Sequence, residues 1–146
     1  MNVRRFFRGS CFLIFLVASC SLPAGSCNGQ HKTQDELVDV LSLDSTIVLD
    51  IRYATDNNFT HRKLYPIARC LLRKEAAESL VAIHHELRSH GFGLKVYDGY
   101  RPLSIQKKLW EVVPDERYVA NPAKGSRHNR GAAVDLTIVD SLGSEI

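Results

Sequence analysis

Ser126-Arg127-His128-Asn129-Arg130-Gly131-Ala132-Ala133-Val134-Asp135 constrains this chain more than any other stretch, because it sets an imidazole and a carboxylate seven residues apart across a glycine. Gly131 lets the chain turn. The residues after it, Ala132 to Val139, include Val134, Thr137, Ile138 and Val139 and predict a strand whose side chains alternate between two faces. Asp135 then shares a face with Ala133 and Thr137, while Val134, Leu136 and Ile138 point together into a core. Small Ala133 leaves room beside the carboxylate, and Ser126 is placed to brace the loop that carries His128. On spacing alone two readings stand: a pair of metal ligands, or a loop histidine and a strand-end carboxylate with no shared task. A zinc hydrolase normally needs three protein ligands and an open position for water, so the pair is at most part of such a site.

The rest of the sequence predicts one α+β domain without repeats, a small and mostly antiparallel sheet packed by helices. Leu37 to Val40 and Thr46 to Ile51 read as strands, and Asp56 to Tyr65 as a polar loop. From about Arg73 to His90 the residues Ala76, Leu80, Ile83 and Leu87 fall on one helical face, and Gly91 supplies the stop. Gly93 to Asp98 is a strand, Leu103 to Val113 a short helix stopped by Pro114, and Asn121 to Gly125 a loop that delivers the chain to His128. Arg101 follows the strand in Asp98-Gly99-Tyr100-Arg101-Pro102, where Pro102 stiffens the turn. Its guanidinium is either aimed into a cleft or held in a structural salt bridge with Asp98 or another carboxylate. The segment His84-His85-Glu86-Leu87-Arg88-Ser89-His90 is not expected to bind metal. His85 and His90 are separated by about 500° of helical rotation and point roughly 140° apart, and Glu86 with His90 reads as a surface pair. His31 and His61 are assigned to a tether and a loop.

The N-terminus reads as an address. Met1 to Ser10 carries Arg4, Arg5 and Arg8 without an acid, and Cys11 to Ala18 is an apolar run too short to cross a bilayer, so residues 1–19 are expected to be a signal peptide. Val17-Ala18-Ser19-Cys20 is similar to a bacterial lipobox, which makes Cys20 a lipid anchor; the other reading is an ordinary cleavage site nearby. Residues 20–34 read as a flexible tether rich in Ser, Gly, Asn and Gln, and residues 35–146 as the folded domain. The formal charge of +3 belongs to the address: without its three arginines, sixteen basic residues face sixteen acids. A neutral domain with no basic run gives no reason to propose nucleic-acid binding. Cys27 and Cys70 either pair in an oxidising envelope or leave Cys70 as a buried free thiol.

Several motifs in order carry a resemblance. Ser126 to Asp135 is similar to the S-x-H-x-x-G-x-A-x-D signature of zinc D-alanyl-D-alanine dipeptidases of the vancomycin-resistance type, which are related to D,D-carboxypeptidases and hedgehog-like domains. Leu49-Asp50-Ile51-Arg52-Tyr53-Ala54-Thr55, Asn58-Phe59-Thr60 and Leu64-Tyr65-Pro66 resemble that family's N-terminal region, and Val96-Tyr97-Asp98-Gly99-Tyr100-Arg101-Pro102 resembles its arginine-bearing strand. Trp110 to Tyr118 and Gly125 to Asp140 extend the match, which covers most of the chain from about Leu37 onward.

The resemblance implies a zinc metallopeptidase that hydrolyses D-Ala-D-Ala in peptidoglycan metabolism, with His128 and Asp135 as metal ligands for Zn2+. It also implies that Arg101 stabilises the oxyanion formed when zinc-bound water attacks the carbonyl. The family's third ligand and catalytic glutamate lie in a later E-x-x-H motif. None follows Asp135 in this sequence, and Glu145, the only later glutamate, is not given that role. The expectation is therefore a C-terminally truncated, hedgehog/D,D-peptidase-like domain with negligible turnover by itself. The alternatives are a D,D-carboxypeptidase or wall endopeptidase acting on longer peptides, and a non-catalytic lipoprotein remnant. The expected location is the periplasmic side of a bacterial envelope, with the membrane reached only through the signal or the lipid on Cys20.

Overall fold

The computed structural model describes residues 36–146. The signal, Cys20, Cys27, His31 and the tether lie outside the described residues. The elements run β1 (Leu37–Asp39), α1 (Val40–Leu43), β2 (Val48–Leu49), a 3-10 turn (Arg52–Ala54), β3 (Leu71–Arg73), α2 (Lys74–Ser89), β4 (Phe92–Asp98), α3 (Leu103–Val112), a second 3-10 turn (His128–Arg130) and β5 (Asp135–Asp140). This is the expected α+β class. The strands form two small sheets instead of one: β1 pairs antiparallel with β3, and β2-β4-β5 makes the other, with β2 parallel and β5 antiparallel to β4.

Polar side chains that bond to nearby backbone cut two expected strands short. Asp39 accepts a hydrogen bond from Leu41 N at 3.1 Å, so a helical turn begins at Val40. Asp44 accepts from the amide and hydroxyl of Thr46 at 2.8 and 2.6 Å, which keeps Thr46 in a turn and leaves only Val48–Leu49 to pair with β4.

The helix α2 packs on β3, β4 and β1 by a stripe rotated one residue from the expected one. Ala77, Leu80 and His84 are fully buried, Ala76, Val81 and Leu87 partly so, and Ile83 is 55% exposed. His84 displaces Ile83 because both its ring nitrogens are satisfied inside: Leu94 N–H donates to Nδ1 at 3.2 Å, and Nε2 lies 2.9 Å from Thr46 Oγ1. A buried imidazole with two partners costs little; unpaired, each group would cost about 1–3 kcal/mol. The core beneath α2 joins Val40, Ile47, Ile51, Leu72, Leu94 and Val96 to Ile105 and Leu109 of α3, each large side chain contributing roughly 1.5–3 kcal/mol on burial. Cys70 is a buried free thiol whose pKa burial pushes up to about 12.

β5 departs most from expectation. It starts at Asp135, not Ala132, because Ala132 N donates back to Arg127 O at 3.1 Å and closes the preceding turn. Its core residue is Val139, 2% exposed, whereas Leu136 and Ile138 are 39% and 38% exposed. The strand lies at the edge of its sheet, with β4 as its strand partner, and Val134 just before it packs against the core. Where Val96 pairs with Leu136 and Asp98 with Asp135, Tyr97 is an extra residue, and this bulge sets two carboxylates side by side.

Candidate active site

The end of β4, the start of α3 and the turn before β5 are tied into one frame by backbone contacts. Tyr100 N donates to Leu71 O at 2.7 Å and Arg101 N to His128 O at 3.0 Å. Asn129 Nδ2 donates to Arg101 O at 2.7 Å and its Oδ1 accepts from Ser126 N at 2.8 Å. Ser126 braces the turn as its position suggested, its hydroxyl accepting from His128 N at 3.2 Å. Gly131 takes the left-handed conformation with φ 65°, and a Cβ there would lie 2.5 Å from Leu37 Cδ2 and 3.1 Å from Arg73 N. The turn is thus pressed against β1 and β3 in a way only glycine permits.

This frame brings all three sequence-predicted residues together. His128 Nδ1 is 2.9 Å from Gly99 O, a contact that requires a proton on Nδ1 and turns Nε2 toward Asp135, whose Oδ1 is 3.4 Å away. The His128 side chain is 15% exposed and that of Asp135 51%, so the pair opens to solvent on the carboxylate side. Arg101 Nη2 stands 3.3 Å from Asp135 Oδ2. Arg101 also pairs with Asp98 at 2.6 Å, the salt bridge that the sequence allowed.

Asp98 completes the site as the salt-bridge partner that the sequence offered Arg101, and it is joined by Tyr53, Tyr65 and Gln106, which were not singled out from sequence. Asp98 is 1% exposed. Its Oδ1 accepts from Tyr65 OH at 2.9 Å and Gly99 N at 3.0 Å, and its Oδ2 from Arg101 Nε at 2.8 Å. The D-G-Y-R spacing was the available signal, since a carboxylate three residues before an arginine at a strand end can reach back to it. The Arg101 guanidinium lies 5.2 Å from the centre of the Tyr53 ring.

The electrostatics follow from this packing. Burial pushes the Asp98 carboxyl up, against the pull of Arg101 and Tyr65. Burial opposes the charge on Arg101, but Asp98 outweighs it and the guanidinium holds its proton more tightly than usual. Burial also works against a charged His128, yet Asp135 and the Gly99 carbonyl raise its pKa on balance, while the His128 hydrogen bond lowers that of Asp135. Imidazole Nε2 and a carboxylate oxygen thus converge, and these two atoms are a donor set that suits a divalent metal ion.

Among the described residues, Asp98, His128 and Asp135 are the group of three side chains whose donor atoms lie close enough to hold a metal, all within 4.8 Å of one another. Both oxygens of Asp98 are already taken by four donors, so it serves Arg101, and His128 with Asp135 remain the open pair. The other histidines do not converge: His85 pairs with Asp44 at 2.8 Å and His90 with Glu86 at 3.4 Å on the surface. Glu145 is bonded to Tyr97 OH at 2.6 Å and lies 3.4 Å from Lys95.

A cleft of about 660 Å³ opens beside Asp135, lined by Arg52, Tyr53, Asn57, Asn58, Phe59, His61, Tyr97, Asp98 and Asp135. His61, read from sequence only as a loop residue, adopts φ 51° on its wall. A second, more apolar depression of about 570 Å³ shares Tyr53 and Phe59 with the first.

A histidine and a carboxylate opening beside a buried arginine is the equipment of a metal-assisted hydrolase. The model of the Peptidase_M15 family, described as D-ala-D-ala dipeptidase, matches residues 33–146, and the chain belongs to that family. It is 38% identical over 109 residues to a D-alanyl-D-alanine dipeptidase of Escherichia coli K12, a match covering 75% of this chain and 56% of that relative. A D-alanyl-D-alanine dipeptidase of Enterococcus faecium is 33% identical over 109 residues, covering 61% and 54%. One from Streptomyces coelicolor is 30% identical over 138 residues, covering 81% and 65%. The chain thus spans a little over half the length of most of the curated relatives it matches.

Proposed function

We propose that this chain carries the His-Asp half of a zinc centre and the oxyanion donor of a peptidase that hydrolyses D-Ala-D-Ala in peptidoglycan metabolism. The carrying observation is the convergence of His128 Nε2 and the Arg101 guanidinium on Asp135, with separations of 3.4 and 3.3 Å, where Asp135 lines an open cleft. Family membership and the names of the relatives support the substrate.

His128 and Asp135 would hold the zinc. When bound, zinc polarises a carbonyl and makes water acidic enough to react near neutral pH. The chain's own residues do the rest of the positioning. Gly99 O keeps the His128 proton on Nδ1 and so keeps Nε2 free as a ligand. As water oxygen adds to the scissile carbonyl carbon, negative charge grows on the carbonyl oxygen, and Arg101 donates hydrogen bonds to it. The C–N bond then breaks, and the amine leaves with the proton that the attacking water gives up. Asp98 holds the guanidinium in place through Oδ2, which accepts from Nε and Nη2. One such donor is worth about 10²–10³ in turnover.

The N-terminal address supports an envelope location with a lipid on Cys20; labelling with a fatty acid in cells and its loss in Cys20→Ala would test it. A second reading, cleavage of longer peptides ending in D-Ala-D-Ala, is favoured by the apolar depression beyond Tyr53 and Phe59. Incubating a chain extended by the family's later E-x-x-H segment with D-Ala-D-Ala and with a muramyl pentapeptide separates the two. Release of alanine from the dipeptide alone supports the dipeptidase, and equal or faster release from the pentapeptide supports the second reading. No hydrolysis of either by that zinc-loaded, extended chain would sink both.

A further inference from the structure

We infer that Gln106 is a positioning residue for Arg101: its side-chain oxygen fixes the direction in which the guanidinium presents its remaining N–H. The inference rests on the proposed oxyanion role of Arg101. Gln106 is wholly buried, on α3 between Ile105 and Leu109 of the core. A primary amide in such a place is costly unless both ends are bonded. Both are: Oε1 accepts from Arg101 Nη1 at 3.0 Å, and Nε2 donates to Ala120 O at 2.6 Å.

The need for this contact follows from how Arg101 is held. A guanidinium has five N–H groups. Nε and Nη2 both donate to one oxygen, Oδ2 of Asp98, at 2.8 and 2.6 Å, and Nη2 also faces Asp135 Oδ2 at 3.3 Å. Two bonds converging on a single oxygen leave the planar group free to rock about it. Gln106 holds the opposite end, at Nη1, and removes that freedom while directing the second Nη1 proton. An amide does this without charge. A third carboxylate there would further offset the positive potential of a group already beside Asp98 and Asp135. Through Ala120, the same side chain also tethers the chain just before the loop that leads to Ser126 and His128.

The two ends of Gln106 can be separated. Gln106→Glu keeps an acceptor for Arg101 and loses the donor to Ala120; Gln106→Met keeps the length and loses both. In the full chain labelled with 15N, the Arg101 guanidinium should give separate, slowly exchanging resonances in the wild type and in Gln106→Glu. They should average or broaden in Gln106→Met, with thermal melts confirming that each variant folds. Gln106→Leu repeats the test with different packing.

For D-Ala-D-Ala hydrolysis by a chain extended through the family's later E-x-x-H segment, Gln106→Met should lower kcat about 10- to 100-fold with KM changed far less. Wild-type Arg101 resonances in folded Gln106→Met and Gln106→Leu would overturn the inference, as would equal loss in the Glu and Met variants, which would assign the effect to the Ala120 bond. A wild-type rate in Arg101→Ala would instead overturn the oxyanion reading. The two failures are distinguishable because the resonances are read without substrate.

Discussion

Two histidines in this fold, His84 and His128, are each fixed by one backbone group, and the chemistry of that group separates them. At His84 the partner is an amide: Leu94 N–H donates to Nδ1, so the proton resides on Nε2 and is given to Thr46, whose hydroxyl donates to Asp44 at 2.6 Å. No nitrogen is left for anything else. At His128 the partner is the Gly99 carbonyl, so Nδ1 carries the proton and Nε2 is turned toward a half-exposed carboxylate. Burial lowers the pKa of the first, while Asp135 and the Gly99 carbonyl raise that of the second in spite of burial. Depth of burial alone does not make a histidine structural or functional. What decides is whether its second nitrogen is consumed inside the protein.

The comparison breaks most visibly if the two residues are exchanged in importance. His128→Ala should reduce D-Ala-D-Ala hydrolysis by more than about a hundredfold with little loss of stability. His84→Ala should cost about 2–4 kcal/mol in denaturant unfolding, through a cavity and the stranded Leu94 amide, yet leave the folded fraction able to bind metal. Arg101→Ala comes next, lowering kcat by about 10²–10³. Because it strands the buried Asp98 carboxylate, it should also destabilise by about 3–5 kcal/mol; a merely surface arginine would do neither. Gly131→Ala should cost about 1–3 kcal/mol, measured by chemical denaturation, because its Cβ meets Leu37 and its φ is positive.

The smallest effect expected is in pH. The folded-state pKa of His84 is lowered, so the unfolded chain takes up a proton more readily than the folded one. The stability His84 contributes is present above the unfolded value of about 6.5 and lost as pH falls below it. Thermal melts should therefore shift downward on acidification from pH 7.5 to 5.5, with a flatter dependence in His84→Gln. An unchanged slope in that variant would assign the effect elsewhere.

What sequence could reveal of these centres followed from local chemistry. Gly131 as a turn and Ser126 as its brace were legible because spacing and neighbours act within ten residues, whereas spacing left the His128-Asp135 pairing open and the family resemblance carried it. Most of α2 and β4 was legible from periodicity and from Gly91. The stripe of α2 was misplaced because periodicity ranks Ile83 above His84, whereas the fold supplies partners for the imidazole from Thr46 and Leu94, thirty-eight and ten residues away. Leu136 and Ile138 were placed in a core by alternation, but an edge strand and the bulge at Tyr97 leave them partly exposed. Gln106 escaped notice for the same reason as His84: a buried polar residue is identified by partners that only the tertiary structure brings.

Titration of zinc into the metal-free full chain and its His128→Ala, Asp135→Asn and His84→Gln variants, followed by calorimetry, tests the central claim most directly. The account predicts that zinc binds the wild type and His84→Gln comparably, and that His128→Ala and Asp135→Asn each lose at least tenfold in affinity. Equal zinc affinity in the wild type and His128→Ala would contradict it.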